Sequence, residues 1–131
     1  MLNKVTTGAR LILGLIFTIF GTNGVLMSLT GKGFIPMPPP APEMMTVMGG
    51  IMAMKYLLPL VKIIEVIAGL FLLSNKFVNL ALFLLAPIVV NILGIHLFVD
   101  LAGLPMAVFL CVLMALVFKQ RWTDFKPILK R

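Results

Sequence analysis

A chain of 131 residues suits one domain, and this one is 61% hydrophobic and only 11% charged. Soluble domains run near half apolar and a quarter charged, so a soluble fold of this size has no means of covering so much apolar surface. The net charge of +7 would indicate nucleic acid in a soluble chain. Here the basic residues flank apolar runs, which points instead to membrane topology and anionic lipid headgroups, with no nucleic-acid role.

Residues 9–29 predict the first membrane span. Lys4 and Arg10 precede an apolar core at 11–20, the order of a secretory signal. The run continues to Leu29 without a clean small-x-small cleavage pattern, so the expectation is a retained helix. Gly14 and Gly21 lie seven apart on one face, with Gly24 just beyond, and let a second helix approach closely. Asn23 is the polar exception in this span. Residues 30–43 carry five prolines, which forbid a helix and favour a stiff extended segment. The methionine-rich residues 44–55 predict a short helix lying on or dipping into the interface, too short to span before Lys55.

The second span is expected at 57–73, with Pro59 in its first turn, where a missing N–H costs little. It carries Lys62 and Glu65 within a run otherwise fit for lipid. A tight turn, Ser74-Asn75-Lys76, leads to a third span at 77–99, kinked at Pro87, which frees a backbone carbonyl near mid-helix. A second turn at 100–105 precedes a fourth span at 104–118. There Gly103, Ala107, Cys111 and Ala115 recur every four residues, a small-residue ridge that permits a homo-oligomer. The tail, 119–131, is basic with interleaved aromatics, and Trp122 and Phe125 suit the headgroup layer. The expected fold is therefore an all-α integral membrane domain: a four-transmembrane-helix bundle with a short outer interfacial helix.

Four spans place both termini on one side, together with eight of the eleven basic residues. The positive-inside rule makes that side the cytoplasm and turns segment 31–56 outward. With a rise of about 1.5 Å per residue, Asn23, Lys62, Glu65, Asn91 and His96 all fall in the outer half of the bundle. Lys62 and Glu65, three apart, can pair. Asn91 and His96 point about 140° apart on an ideal wheel, so Asn91 is the expected neighbour of Glu65 and His96 addresses another helix or the outer loop. Two readings stand for the charged pair: an ion pair that locks the bundle, or a site that handles a proton or binds a ligand.

Metal chemistry is not expected. The single histidine argues against a histidine site, and the outer methionines are irregularly spaced with no Cys or His beside them. The lone Cys111 excludes an intramolecular disulfide and a two-cysteine redox cycle, and no phosphate-binding, nucleophile-elbow or haem-attachment motif occurs.

Several residues in this order resemble the DoxX family of small four-helix bacterial membrane proteins. They are Arg10, Gly14, Phe17, Phe20, Gly21 and Asn23 in the first span, and the loop Phe34-Ile-Pro-Met-Pro38. Pro59, Lys62, Glu65 and Gly69 follow in the second span, then Pro87, Asn91, His96, Phe98 and Asp100 in the third. The resemblance implies the bacterial inner membrane and an association with quinone-linked or thiol-redox systems. It singles out Lys62, Glu65, Asn91 and His96. On that reading a quinone-like ligand sits between helices, Glu65 with Lys62 manages a proton, and Asn91 or His96 bonds a carbonyl oxygen. The alternative is a non-enzymatic scaffold, assembly factor or small transporter, with a structural polar cluster and a redox or other membrane partner docked on 31–56.

Overall fold

The computed structural model describes residues 2–130. The chain forms α1 (Leu2–Thr30), α2 (Pro42–Ala53), α3 (Leu57–Ser74) and α4 (Val78–Phe98). A 3-10 turn (Leu101–Gly103) then leads into α5 (Leu104–Gln120) and α6 (Trp122–Leu129). Helices α1, α3, α4 and α5 with its leading turn are long and apolar enough to cross a membrane. The protein is a multi-pass, all-α, four-helix bundle that associates with a lipid bilayer. The four spans form a ring in which α1 packs on α3, α3 on α4, α4 on α5, and α5 back on α1. One end carries residues 31–56 and the turn before α5, and is called here the loop end. The terminal end carries the start of α1, the end of α5 with α6, and the turn between α3 and α4.

The tightest seam joins α1 to α3, and glycines make it. A Cβ at Gly14 would lie 3.1 Å from both the Gly69 carbonyl and the Leu72 side chain. One at Gly21 would lie 2.9 Å from Val66 and 3.1 Å from the Glu65 Cβ. One at Gly69 would strike Thr18 and come within 2.9 Å of the Gly14 carbonyl. Gly24 abuts the alkyl stem of Lys62. Small residues let the two backbones approach, which is where helix association in lipid finds its attraction.

The apolar core is concentrated in the terminal half. Leu13, Phe17, Leu72, Leu82, Leu85 and Val117 are all buried there. Helix α1 begins at Leu2, ahead of the expected residue 9, because its first turns bury Thr6 and Ala9. Charge at Lys4 ends the apolar run without ending the helix.

Two expectations about packing are corrected. The tail folds as helix α6 against the bundle, and Phe125 is buried rather than in the headgroup layer. Its ring lies 4.6 Å from that of Phe118 and 5.5 Å from that of Phe83. Asn79 Nδ2 donates to Asp124 Oδ2 at 3.0 Å, and Arg121 donates to Asn75 Oδ1 at 3.3 Å, tying α6 to the α3–α4 corner. The small ridge on α5 is not continuous. Ala107 is buried and Gly103 is covered by the His96 ring, whereas Ala115 is exposed. The buried stripe on α5 is Ala107, Leu110, Leu113 and Val117.

The glycine seam makes a direct prediction. Gly69→Leu should lower stability by about 2 kcal/mol or more, because the backbone of α1 stands where the new side chain must go. Gly49→Ala, on the exposed α2 with nothing within 4 Å, should raise it by a few tenths up to ~1 kcal/mol through helix propensity. Thermal unfolding of both variants in a mild detergent checks the contrast.

Candidate functional site

The charged pair on α3 is closed upon itself. Lys62 Nζ donates to Glu65 Oε1 at 3.0 Å and to Oε2 at 2.9 Å. Glu65 is 2% exposed. The Lys62 side chain retains 24% exposure, its stem lying along Gly24 of α1. The local sequence explains the geometry. A three-residue offset puts both side chains on adjoining sides of one helix, and the glycines of α1 leave room for the Lys62 stem. Two charges drawn into this region are tolerable only as a mutually bonded pair.

Asn23 serves the loop. Its Oδ1 accepts from the backbone N–H of Phe34 at 2.7 Å and of Ile35 at 2.9 Å, and the residue is 5% exposed. The extended segment before α2 has no helix of its own to satisfy those donors, so a buried side-chain oxygen does so. Gly33 passes directly over the Asn23 amide, where any side chain would collide with it.

His96 holds the corner between α4 and α5. Its Nδ1 lies 2.9 Å from the Asp100 carbonyl, which can only accept, so Nδ1 carries the proton. Asp100 Oδ1 in turn accepts from Ala102 N at 3.1 Å, and Gly103 lies against the imidazole. Asn91 is separate from all of these. It is exposed on the outward side of α4, and its Nδ2 donates to the Pro87 carbonyl at 2.8 Å.

The five polar residues share a depth but not a site. Lys62 and Glu65 meet each other, Asn23 meets the loop, His96 meets the α4–α5 corner, and Asn91 turns outward. The expected approach of Asn91 to Glu65 does not occur, because α4 buries Ala81, Leu82, Leu85 and Val89 in the bundle and turns Asn91 away. Among the described residues no group of three His, Cys, Asp or Glu converges to hold a metal.

One tertiary contact escaped the sequence reading. Arg10 of α1 donates through Nη1 to the Leu72 carbonyl and, at 3.5 Å, to that of Leu73. These carbonyls end α3, where Asn75 turns left-handed with φ 57°. A cation there meets the last carbonyls of the helix, of which that of Leu72 also accepts from the Asn75 N–H at 3.4 Å, and the negative end of the helix dipole. The available signal was an Asn just beyond the predicted end of the second span, with Arg10 at the same depth on the first.

Two apolar grooves lie on the bundle surface. One, about 240 Å³, is lined by Thr22, Val25, Ile63, Val66 and Ile67 between α1 and α3. The other, about 230 Å³, lies between α4, α5 and α6 and includes Phe83, Met114 and Phe125. None of the five polar residues lines either groove.

Comparison with family models, curated proteins and solved structures finds no match. The class of protein therefore rests on the fold itself: a small multi-pass four-helix membrane protein with a buried ion pair and side-chain-to-backbone contacts in its loop half.

Two substitutions separate the roles of these contacts. Lys62→Met leaves a buried carboxylate without its partner and should cost about 3–5 kcal/mol. The double variant Lys62→Met/Glu65→Leu should recover most of that loss, as read by a double-mutant cycle on detergent unfolding. Asn23→Leu strips two backbone donors of their acceptor, at about 1–3 kcal/mol each. It should speed proteolysis within residues 31–41 while leaving the four spans protected.

Proposed function

We propose that this chain is a non-catalytic membrane subunit: an accessory or assembly protein, DoxX-like, of a quinone-linked or thiol-redox system in the bacterial inner membrane. The observation that supports it is the engagement of the polar side chains. The four placed in the interior are each held by atoms of the chain itself, and the fifth, Asn91, faces outward. A ligand between the helices would find these side chains already engaged, and the buried Thr18 hydroxyl in the α1–α3 seam is the polar atom there without a partner among the described residues.

The orientation follows from charge. Both termini lie in the cytoplasm, because the terminal end carries Lys4, Arg10, Lys76, Lys119, Arg121, Lys126 and Lys130. The loop end then faces the periplasm or cell exterior. It offers a methionine- and proline-rich surface on which Phe34, Met37, Met45, Met52 and Met54 are all more than half or about half exposed. Methionine side chains adapt to varied partners, which suits a docking surface. Cys111, half-buried in α5, is the chain's one thiol, so thiol chemistry in such an assembly belongs to the partner.

The reading with a quinone bound in this chain has one observation in its favour. The groove at Thr22, Val25, Ile63, Val66 and Ile67 alternates in sequence with Lys62 and Glu65. It offers a ring an apolar bed, but the Thr22 hydroxyl already donates to the Thr18 carbonyl at 2.6 Å.

The two readings give opposite results in one set of measurements. Photo-crosslinkers at Met37, Met45 and Met52 in intact membranes should capture a membrane redox protein, and folded Glu65→Gln should leave the activity of that system unchanged. Quinone co-purifying with the protein, together with loss of activity in folded Glu65→Gln, would instead place the chemistry in this chain. Labelling of Met45→Cys from outside the cell, in a Cys111→Ser background, checks the orientation.

A further inference from the structure

The outward face of α4 carries Phe83, Pro87, Val90, Asn91 and Phe98, all exposed, and Gly94 lies open among them. Asn91 sits two turns before the end of α4, about 10 Å below the loop end and so within the hydrocarbon. One Nδ2 hydrogen goes to the Pro87 carbonyl. The second Nδ2 hydrogen and Oδ1 have no partner among the described residues, and lipid tails offer none. Pro87 adds to the same face the Phe83 carbonyl, which has no N–H four residues on. An amide left bare at this depth is costly, and in membranes such groups bond across helix interfaces.

We propose that a second copy of this chain covers the face, forming a two-fold dimer with α4 against α4 and Asn91 paired with its own counterpart. Copies of one chain share one orientation in the membrane, so the two-fold axis runs along the membrane normal. A residue beside that axis meets itself at equal depth. To bond with itself, a side chain must both donate and accept. Asn91 is the one side chain on this face that does so, with one free N–H and one free carbonyl oxygen. Gly94, one turn away with nothing within 4 Å, lets the two helices close to the distance the paired amides need. The small ridge of α5 does not serve this purpose, because Gly103 and Ala107 are covered within the chain. The dimer stands independently of what docks on the loop end, since its face lies on the flank of the bundle.

The test uses the full chain, fluorescently tagged at one end, in phosphatidylethanolamine–phosphatidylglycerol vesicles. Single-molecule photobleaching is followed across a range of protein-to-lipid ratios. The unmodified chain should pass from one to two bleaching steps as the ratio rises. Each lost interhelical hydrogen bond weakens association about threefold, so Asn91→Leu should shift the transition about tenfold toward monomer. Asn91→Gln, which keeps the amide, should retain the dimer. Leucine suits a lipid-facing position, so a thermal melt of Asn91→Leu should match or exceed that of the unmodified chain. Should Asn91→Leu fail to fold, disulfide capture decides the matter. In a Cys111→Ala background, Phe98→Cys should crosslink to its counterpart, and Val112→Cys on the exposed side of α5 should not. A single bleaching step at every ratio, an unchanged transition in folded Asn91→Leu, or capture through Val112→Cys in place of Phe98→Cys overturns the proposal.

Discussion

Lipid removes the force that drives helices together in water, because hydrocarbon tails are as apolar as leucine. A membrane bundle must gain its cohesion from close packing and from polar contacts that lipid cannot match. In this protein both are strongest along one line, the antiparallel seam of α1 and α3. Gly14, Gly21 and Gly24 on one helix and Gly69 on the other bring the backbones together. Arg10 clasps the terminal end of α3 through the last carbonyls of that helix. At the opposite end the Lys62 stem lies along Gly24 and delivers its ammonium to Glu65. The remaining helices build on this pair, α4 against α3 and α5 against α1.

The two halves of the bundle hold together by different physics. The terminal half is a packed apolar core, sealed beneath by Phe125 of α6. The loop half is joined by hydrogen bonds from side chain to backbone, Asn23 to the extended segment and His96 to the corner before α5. This division follows from what each end must do. The terminal end is closed by short turns and a small helix. The loop end must fix a long proline-rich excursion whose backbone donors have no helical partners. Asn23 and His96 are therefore accounted for by the backbone they hold at that end, whereas buried Glu65 is met only by Lys62 of its own helix.

The same accounting isolates Asn91. Glu65, Asn23 and His96 each bond within the chain, whereas Asn91 is turned away by the apolar stripe of Ala81, Leu82, Leu85 and Val89 that packs α4 inward. Its local bond to the Pro87 carbonyl meets only part of its hydrogen-bonding capacity. The outward face of α4 and the loop end are thus two different kinds of surface: one with a polar group inside the membrane, the other pliable and methionine-rich outside it.

The sequence by itself determined the class and its topology. Long apolar runs and proline and glycine punctuation set the four spans, the short helix before the second of them and the shared side of the termini. Length and hydropathy are local properties, and a bilayer of fixed thickness reads them directly. The sequence also placed the polar residues at one depth, since depth along a helix is only a count of residues, and it marked the glycine face of α1. Lateral arrangement was beyond it. Which helix neighbours which, and by what rotation, depends on how side chains interlock across helices distant in sequence. So the pairing of Lys62 with Glu65, three residues apart, was legible, whereas Asn91 was assigned to Glu65 and in fact faces outward. For the same reason Arg10 looked like a topology charge and Phe125 like a headgroup residue. Only the tertiary structure brings Arg10 to the end of α3 and folds Phe125 back beneath α4 and α5.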